Sequence, residues 1–217
     1  MSRGCLRLVL LSLCTLSAHA ASIVVNGSFE ESNLPTGTWG LFSAIPGWTL
    51  AAGPSIEIQN HVAGNPFDGD RLLELDSEAN SAVFQDLDTV VGKLYVLRFA
   101  FSARPGTVDN SMNVFWDGSL VSPTINADGS ALSDTQWTEY EFNVIAQTAS
   151  TRLQFSGITI GQNSYGAYID AVSVNQVSEP PSDPVSTPEP ASIFMVGAAM
   201  LLLGSSKRIR ATILTRR

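Results

Sequence analysis

Two carboxylates near the ends of the segment 22–175 are the residues best suited to bind a ligand ion. Glu30 follows the start of the segment closely, and Asp170 lies just before its end. A jelly roll commonly places its first and last strands side by side, so the two carboxylates would meet and repel unless a cation lay between them. Because Ca²⁺ takes about six to eight oxygen ligands, the sequence predicts a calcium site at Glu30 and Asp170. The alternative is that Glu30 is solvated and Asp170 caps a turn.

A denser acidic run lies between Asp68 and Glu78, on the residues DGDRLLELDSE. Its spacing does not match the EF-hand loop, which needs acids at positions 1, 3 and 5 and a glutamate at position 12. Most of the run is therefore predicted to be solvated strand and loop. Asp70 and Asp76 are its best candidates for one further calcium ligand.

A second set of residues suits a neutral, hydroxyl-rich ligand. Trp137 alternates out of the apolar face of its strand, so it is predicted to be an exposed stacking platform. Arg104 precedes a Pro-Gly turn that would present its planar guanidinium group to the hydroxyl groups of a ligand, although it could instead pair with Asp109. Asn110 and Gln85 are candidates to join this site, whereas the tryptophan at position 48 is predicted to fill the core.

Composition argues against several other functions. His61 is the one histidine left after removal of a signal peptide, and no nucleophile elbow accompanies it. Both cysteines, Cys5 and Cys14, lie in that signal, so no disulfide or thiol nucleophile is expected in the mature chain. The segment 22–192 contains five basic and twenty acidic residues, which disfavours binding to phosphate backbones. We therefore expect a protein without catalytic residues and without a nucleic-acid partner.

The elements that must position these residues are short strands. Large apolar residues alternate with others along 95–101, 138–144 and 151–155, and shorter candidates lie at 56–59, 71–76, 81–86, 112–116 and 167–174. Pro-Gly and Asp-Gly turn signals separate them. Eight or more short strands of this kind predict an all-β protein, an antiparallel β-sandwich, and within that class we favour a jelly roll over residues 22–175.

The order of motifs in this segment resembles a known family. The motifs are Val25-Asn26-Gly27-Ser28-Phe29-Glu30, Ile45-Pro46-Gly47-Trp48, Leu73-Glu74-Leu75-Asp76, Phe101-Ser102-Ala103-Arg104-Pro105-Gly106 and Tyr168-Ile169-Asp170-Ala171-Val172. This order is similar to domain-of-unknown-function family 642, whose better-known members are plant cell-wall proteins. The resemblance implies a galactose-binding-like jelly roll related to carbohydrate-binding modules. It also implies a structural calcium held by the first-strand acid and the last-strand aspartate.

The two ends of the chain are predicted to be processing signals. Residues 1–20 have a basic start, an apolar run and the cleavage site Ala18-His19-Ala20, which is typical of a secretory signal peptide. Residues 176–190 form a proline-rich linker. The apolar stretch 191–206 predicts a short hydrophobic helix as a transmembrane anchor, although it is barely long enough for a span.

The tail also resembles a known sorting signal. Pro188, Glu189 and Pro190 precede the apolar run, and Lys207-Arg208-Ile209-Arg210 follows it. This three-part order over 188–210 is similar to the PEP-CTERM signal. The resemblance implies that an exosortase of a Gram-negative bacterium cleaves the tail after transient anchoring in the inner membrane. Residues 211–217 extend beyond the usual end of such tails.

Together these features predict an exported, non-catalytic carbohydrate-binding module delivered to the cell envelope or the exopolysaccharide matrix. Its expected partners are an exosortase, a polysaccharide and, before processing, the membrane. The alternative is a structural extracellular-matrix or surface protein that binds protein neighbours. A groove with a tryptophan and polar groups would favour the first function, and a large apolar patch on a sheet face would favour the second.

Overall fold

The computed structural model describes residues 21–160 and 164–178 of the chain. Its strands are, in chain order, β1 (Thr38–Phe42), β2 (Ala44–Ile45), β3 (Trp48–Ala52), β4 (Ile56–Asn60), β5 (Leu72–Glu74), β6 (Ala82–Asp88), β7 (Leu94–Ser102), β8 (Met112–Trp116), β9 (Ser119–Leu120), β10 (Thr138–Ile145), β11 (Ser150–Gly157) and β12 (Tyr168–Gln176). Within these residues, no helix has the length and apolar character needed to cross a membrane.

The strands form two six-stranded sheets. Sheet A has the order β1-β4-β5-β12-β7-β10, and sheet B has the order β2-β3-β6-β11-β8-β9. Neighbouring strands are antiparallel, as the pairs at the centre of each sheet illustrate. The expected antiparallel β-sandwich of jelly-roll type is therefore confirmed.

The predicted strands match eight of these elements, with ends that differ by a few residues. The sequence missed β1, β2, β3 and β9. Two of them are two-residue strands, too short to show alternation. In β1 and β3 the outward positions hold apolar residues such as Trp39, Leu41 and Ala51, so the polar half of the period-two pattern is weak.

The core lies between the two sheets and is rich in aromatic rings. Phe99 of β7 meets Phe155 of β11 edge to face, with ring centroids 5.1 Å apart, and this contact joins sheet A to sheet B. Trp48 is 1% exposed and packs on Phe155 and Phe29. The prediction that Trp48 fills the core is confirmed. Each fully buried side chain of this size contributes about 1.5–3 kcal/mol through the hydrophobic effect.

The amino-terminal segment runs beside the last strand. The backbone N–H of Ile23 donates to the carbonyl of Val174, and the N–H of Val172 donates to the carbonyl of Gly27, both at 2.9 Å. A side chain at Gly27 would place its Cβ 2.0 Å from the carbonyl oxygen of Val172, so this close approach requires glycine. The two ends of the domain therefore meet.

Candidate functional site

The outer face of sheet A contains a row of polar residues that are shielded from water. Glu57 of β4 pairs in register with Glu74 of β5, and Glu74 pairs with Tyr168 of β12. Residues that are paired in register point to the same side of a sheet. Because Ile58, Leu73 and Ile169 fill the core, their neighbours along each strand must point outward. Glu57, Glu74 and Tyr168 are nevertheless 5%, 0% and 0% exposed.

Gln59 connects the members of this row. The hydroxyl of Tyr168 donates to Oε1 of Gln59 over 2.9 Å, and Nε2 of Gln59 donates to Oε1 of Glu57 over 2.8 Å. The same nitrogen also donates to Oε2 of Glu74. Both donors of the Gln59 amide and one lone pair of its oxygen are thus used, which fixes the orientation of the amide and of both carboxylates.

Burial dominates the electrostatics of the two glutamates. Desolvation raises the pKa of Glu57, and the hydrogen bond from Gln59 only partly offsets this effect. Desolvation raises the pKa of Glu74 well above its ordinary value, against the attraction of the Arg104 guanidinium. Desolvation also raises the pKa of the Tyr168 phenol. The carboxyl groups therefore hold their protons more tightly than free glutamates do.

Arg104 supplies the cation of this network. Its Nη1 donates to Oε2 of Glu74 over 2.7 Å, and its guanidinium lies 4.0 Å from the centroid of the Tyr165 ring. The turn that presents Arg104 is held by Asn110, whose Oδ1 accepts from the Arg104 backbone N–H over 2.8 Å. The guanidinium plane is therefore clamped between a carboxylate and an aromatic ring.

A cleft of about 310 Å³ opens above this network. Trp39 of β1 pairs with Gln59, so it stands on the same outer face and forms one wall. Tyr165, just before β12, lines the other side. The two rings are 54% and 47% exposed, which is unusual for large aromatic side chains on a sheet that buries its polar residues. Glu57, Gln59 and Arg104 contribute polar groups to the lining, together with Ser77, Glu78 and Ser164.

This combination is suited to binding a flat, hydroxyl-bearing ligand. Exposed aromatic faces offer apolar contact, while the carboxyl, amide and guanidinium groups between them offer hydrogen-bond donors and acceptors in fixed positions.

Residues 22–175 match the family described as "Protein of unknown function (DUF642)". The chain belongs to the DUF642 family. Over 172 residues this DUF642 chain is 28% identical to the multifunctional-autoprocessing repeats-in-toxin of Vibrio vulnificus, a match that covers 77% of the chain and 3% of the toxin. The DUF642 domain therefore spans only a small part of that relative.

Solved structures are similar to this chain. The Stig cyclase Fisc from Fischerella sp. TAU matches with a TM-score of 0.54 and 13% identity, over 75% of this chain and all of the cyclase chain. The CBM22-1 xylan-binding domain of Paenibacillus barcinonensis Xyn10C matches with a TM-score of 0.49 and 17% identity, over 76% of this chain and all of that domain.

Of the four residues predicted to bind a ligand, the structure brings only Arg104 into the cleft. Trp137 lies outside it, half-buried, with its indole N–H donating to the carbonyl of Asn65 over 2.9 Å and its ring against Phe67. It lines a separate cavity of about 380 Å³ near the start of β10. Arg104 pairs with Glu74 and not with Asp109, the partner considered from the sequence.

Asn110 and Gln85 hold backbone segments in place. Asn110 is fully buried, and its Nδ2 donates to the carbonyls of Thr107 and Ala127 in addition to the Arg104 contact. Gln85 accepts from the backbone N–H of Val25 and donates to its carbonyl. Both amides are thus occupied by the protein itself, and neither lines the cleft.

The predicted calcium ligands at the ends of the domain meet at one loop, but their oxygens already accept hydrogen bonds. Glu30 accepts from the backbone N–H groups of Asp70 and Arg71 and pairs with the Arg71 guanidinium at 2.6 Å. Asp170 accepts from the N–H groups of Phe67, Asp68 and Ala171. Burial raises the pKa of Asp170 to about 7 although these bonds lower it. As arranged, with N–H groups and a guanidinium on these oxygens, Glu30 and Asp170 do not fit a cation.

The other two predicted calcium ligands do not lie with Glu30 and Asp170. Asp70 is exposed and contributes only its backbone N–H, and Asp76 is buried elsewhere. Across the described residues, no three His, Cys, Asp or Glu side chains gather into a metal-binding group. Calcium at Glu30, Asp170, Asp70 and Asp76 stays a prediction.

The remaining sequence predictions lie outside the described residues. They are the signal peptide 1–20, the sorting motif Pro188, Glu189 and Pro190, and the hydrophobic helix 191–206. Most of the linker 176–190 lies there too.

Sequence reasoning missed the main lining of the cleft. Trp39 and Tyr165 were not singled out from the sequence, and Glu57 and Gln59 were not proposed as ligand contacts. A signal was present, because Glu57 and Gln59 alternate with the apolar Ile56 and Ile58 and must face away from the core. What the pattern lacked was the pairing of β4 with β1 and β5, which collects these residues on one surface.

Proposed function

We propose that this protein is an exported, non-catalytic carbohydrate-binding module that uses the cleft on the outer face of sheet A. The observation that carries the proposal is the pair of exposed rings, Trp39 and Tyr165, on either side of a fixed polar lining. Aromatic faces contact the C–H surfaces of a sugar, and the carboxyl, amide and guanidinium groups are placed to bond its hydroxyls.

The carboxyl pair supports binding and not hydrolysis. Glycosidases flank the scissile bond with carboxyl groups roughly 5 to 9.5 Å apart, which leaves room for a sugar or a water molecule. Glu57 and Glu74 instead both accept a hydrogen bond from the same nitrogen of Gln59, so a side chain of the protein occupies the place between them.

A neutral polysaccharide is the ligand class that the charges favour. Arg104, whose guanidinium lines the cleft in the described part of the chain, is already paired with Glu74. An anionic sugar would therefore have to compete with a buried carboxylate for its main cation, at a cost in desolvation. Neutral hydroxyls bond the remaining donors and acceptors without that competition.

We further propose that the protein acts outside the cell or on its surface. The secretory signal at 1–20 and the PEP-CTERM-like tail at 188–210 support export and sorting by an exosortase, with the membrane as a transient partner. The producer's own exopolysaccharide is the polysaccharide that such a protein would meet first.

The test is a glycan array with the purified full-length chain, followed by titration of any polysaccharide that binds. Trp39→Ala should weaken binding at least about tenfold, because an exposed stacking face is lost from the centre of the contact. Trp137→Ala is the matched control, since it removes the same side chain from the other cavity and should leave affinity nearly unchanged. Circular dichroism verifies that both variants are folded.

Two results would contradict the proposal. One is a folded protein that binds no glycan on the array. The other is binding that survives Trp39→Ala but is lost in Trp137→Ala, which would move the site to the cavity beside β10.

A further inference from the structure

Among the described residues, three buried polar side chains next to the Tyr165 segment each contain at least one oxygen without a hydrogen-bond partner. Asp76 is 0% exposed, and within the described part of the chain neither of its carboxylate oxygens accepts a hydrogen bond. Oδ1 of Asn80 and Oγ1 of Thr159 are likewise buried and unpaired among these residues. Buried polar atoms are nearly always paired in folded proteins, so three neighbouring exceptions require an explanation.

Asp76, Asn80 and Thr159 are neighbours in the fold. Asp76 and Asn80 face each other in an isolated antiparallel bridge. Nδ2 of Asn80 donates to the carbonyl of Thr159 over 2.9 Å, which fixes the amide and leaves Oδ1 free. A Cβ built on Gly166 would lie 3.6 Å from Cγ of Asp76 and 3.2 Å from Oγ1 of Thr159. The carboxylate and the hydroxyl therefore approach the same point.

The chemistry of the group is that of a cation site. Every unpaired atom is an oxygen, and one of the three groups is a carboxylate. An isolated buried carboxylate is unfavourable unless it is neutralised, and burial raises the pKa of Asp76 to about 6. A cation bound to the carboxylate would neutralise it.

We propose that Asp76, Asn80 and Thr159 bind a calcium ion. Both carboxylate oxygens of Asp76, Oδ1 of Asn80 and Oγ1 of Thr159 are the protein ligands. Oxygen-only ligation suits Ca²⁺, and a single carboxylate places the expected Kd on the order of 10⁻⁴ to 10⁻³ M. This site is separate from Glu30 and Asp170, whose carboxylate oxygens already accept hydrogen bonds from N–H groups. It does not depend on carbohydrate binding.

The structure also gives the site a mechanical consequence. Gly166 borders Asp76, and its backbone N–H donates to Oε1 of Glu74 over 2.8 Å. A cation at Asp76 would therefore stiffen the segment that connects the cleft network to Tyr165.

The experiment is calcium titration of the metal-free full-length chain by calorimetry, with thermal melting in EDTA and in 10 mM CaCl₂. Wild type should bind one ion and melt roughly 5 °C higher with calcium. Asp76→Asn should lose both the heat and the shift. It should melt no lower than wild type in EDTA, because the amide removes an unpaired charge without removing any hydrogen bond. Asp70→Asn is the matched control on the exposed loop and should behave like wild type.

Other variants distinguish the remaining outcomes. If Asp76→Asn fails to fold, Thr159→Val keeps the shape of the side chain and should weaken calcium binding several-fold. Calcium binding that persists in Asp76→Asn but is lost in Asp170→Asn would overturn the proposal in favour of a site at Glu30 and Asp170. Absence of any calcium effect on wild type would also overturn it.

Discussion

Two arginines on opposite faces of the sandwich make the same set of contacts. On sheet A, Arg104 pairs with Glu74 at 2.7 Å and lies 4.0 Å from the Tyr165 ring. On sheet B, Arg152 of β11 pairs with Asp86 of β6 at 2.7 Å, and its guanidinium lies 3.6 Å from the Phe84 ring. Each arginine is thus held by one carboxylate and one aromatic face.

The difference between the two faces is burial. Arg104 and Glu74 have side-chain exposures of 13% and 0%, whereas Arg152 and Asp86 are both 46% exposed. On sheet B water solvates the pair, and its contacts are local to two adjacent strands. On sheet A the Tyr165 ring covers the Arg104 guanidinium, and Glu74 has no exposed surface. The residues that lie over a strand therefore decide whether such a pair is solvated, in addition to the residue types.

The largest expected effect is on the buried pair. Arg104→Ala leaves Glu74 as an unpaired buried carboxylate and should lower the free energy of unfolding by about 3–5 kcal/mol at neutral pH. Urea denaturation measures this difference. A loss below about 1 kcal/mol would mean that the pair is effectively solvated and that the two faces do not differ as described.

A smaller effect is expected on the pH dependence of stability, which should differ between the two faces. Because the pKa of Glu57 is raised on folding from its ordinary value of 4.5, the native state holds this proton more tightly, and stability falls as the pH rises above that value. Glu57→Gln should therefore flatten the decline between about pH 5 and pH 8. The hydrogen bond from Arg152 lowers the pKa of Asp86 below 3.8, so its contribution is present above that pH and is lost in acid.

Denaturation midpoints measured as a function of pH follow both the loss of stability in acid and its decline at higher pH. Asp86→Asn is the matched control, since it should alter only the loss in acid and leave the slope of stability against pH above about pH 5 as in wild type. An unchanged slope in Glu57→Gln would show that another group causes the decline.

The smallest effect is expected for the exposed pair. Arg152→Ala should cost about 0–1 kcal/mol, and half-molar salt should remove most of the difference from wild type. Arg104→Ala is predicted to respond little to salt, because water and ions do not reach Glu74. The same urea titrations at two salt concentrations test this contrast, which equal salt sensitivity of the two variants would refute.

The strands of the fold could be predicted better than the site. Tyr95, Leu97, Phe99 and Phe101 alternate in the sequence and all face the core in β7. In the same way, the Asp117-Gly118 turn adopts positive φ at both residues, as a two-residue hairpin requires. Alternation and turn residues are local patterns, so a single sequence is sufficient to predict the strands and turns that they form.

The site depends on contacts that no local pattern encodes. Trp137 was predicted to be an exposed platform on its strand, but it precedes β10 and is half-buried, because Phe67 and Asn65 from another loop cover part of it. Asn110 and Gln85 have the polar amides of a binding residue, but neighbouring backbone groups occupy them. Whether a polar side chain meets a ligand or its own protein depends on which segment lies opposite.

The sequence by itself determined the period-two strands, the turns between them and the acidic surface, because each follows from residue types at short separation. The tertiary structure decided which of these strands are neighbours. The hydroxyl of Tyr168 meets Gln59 across 109 residues of chain. The register of β4, β5 and β12 therefore assembled the cleft and buried its carboxylates, since only packing of distant segments removes water from a charged group.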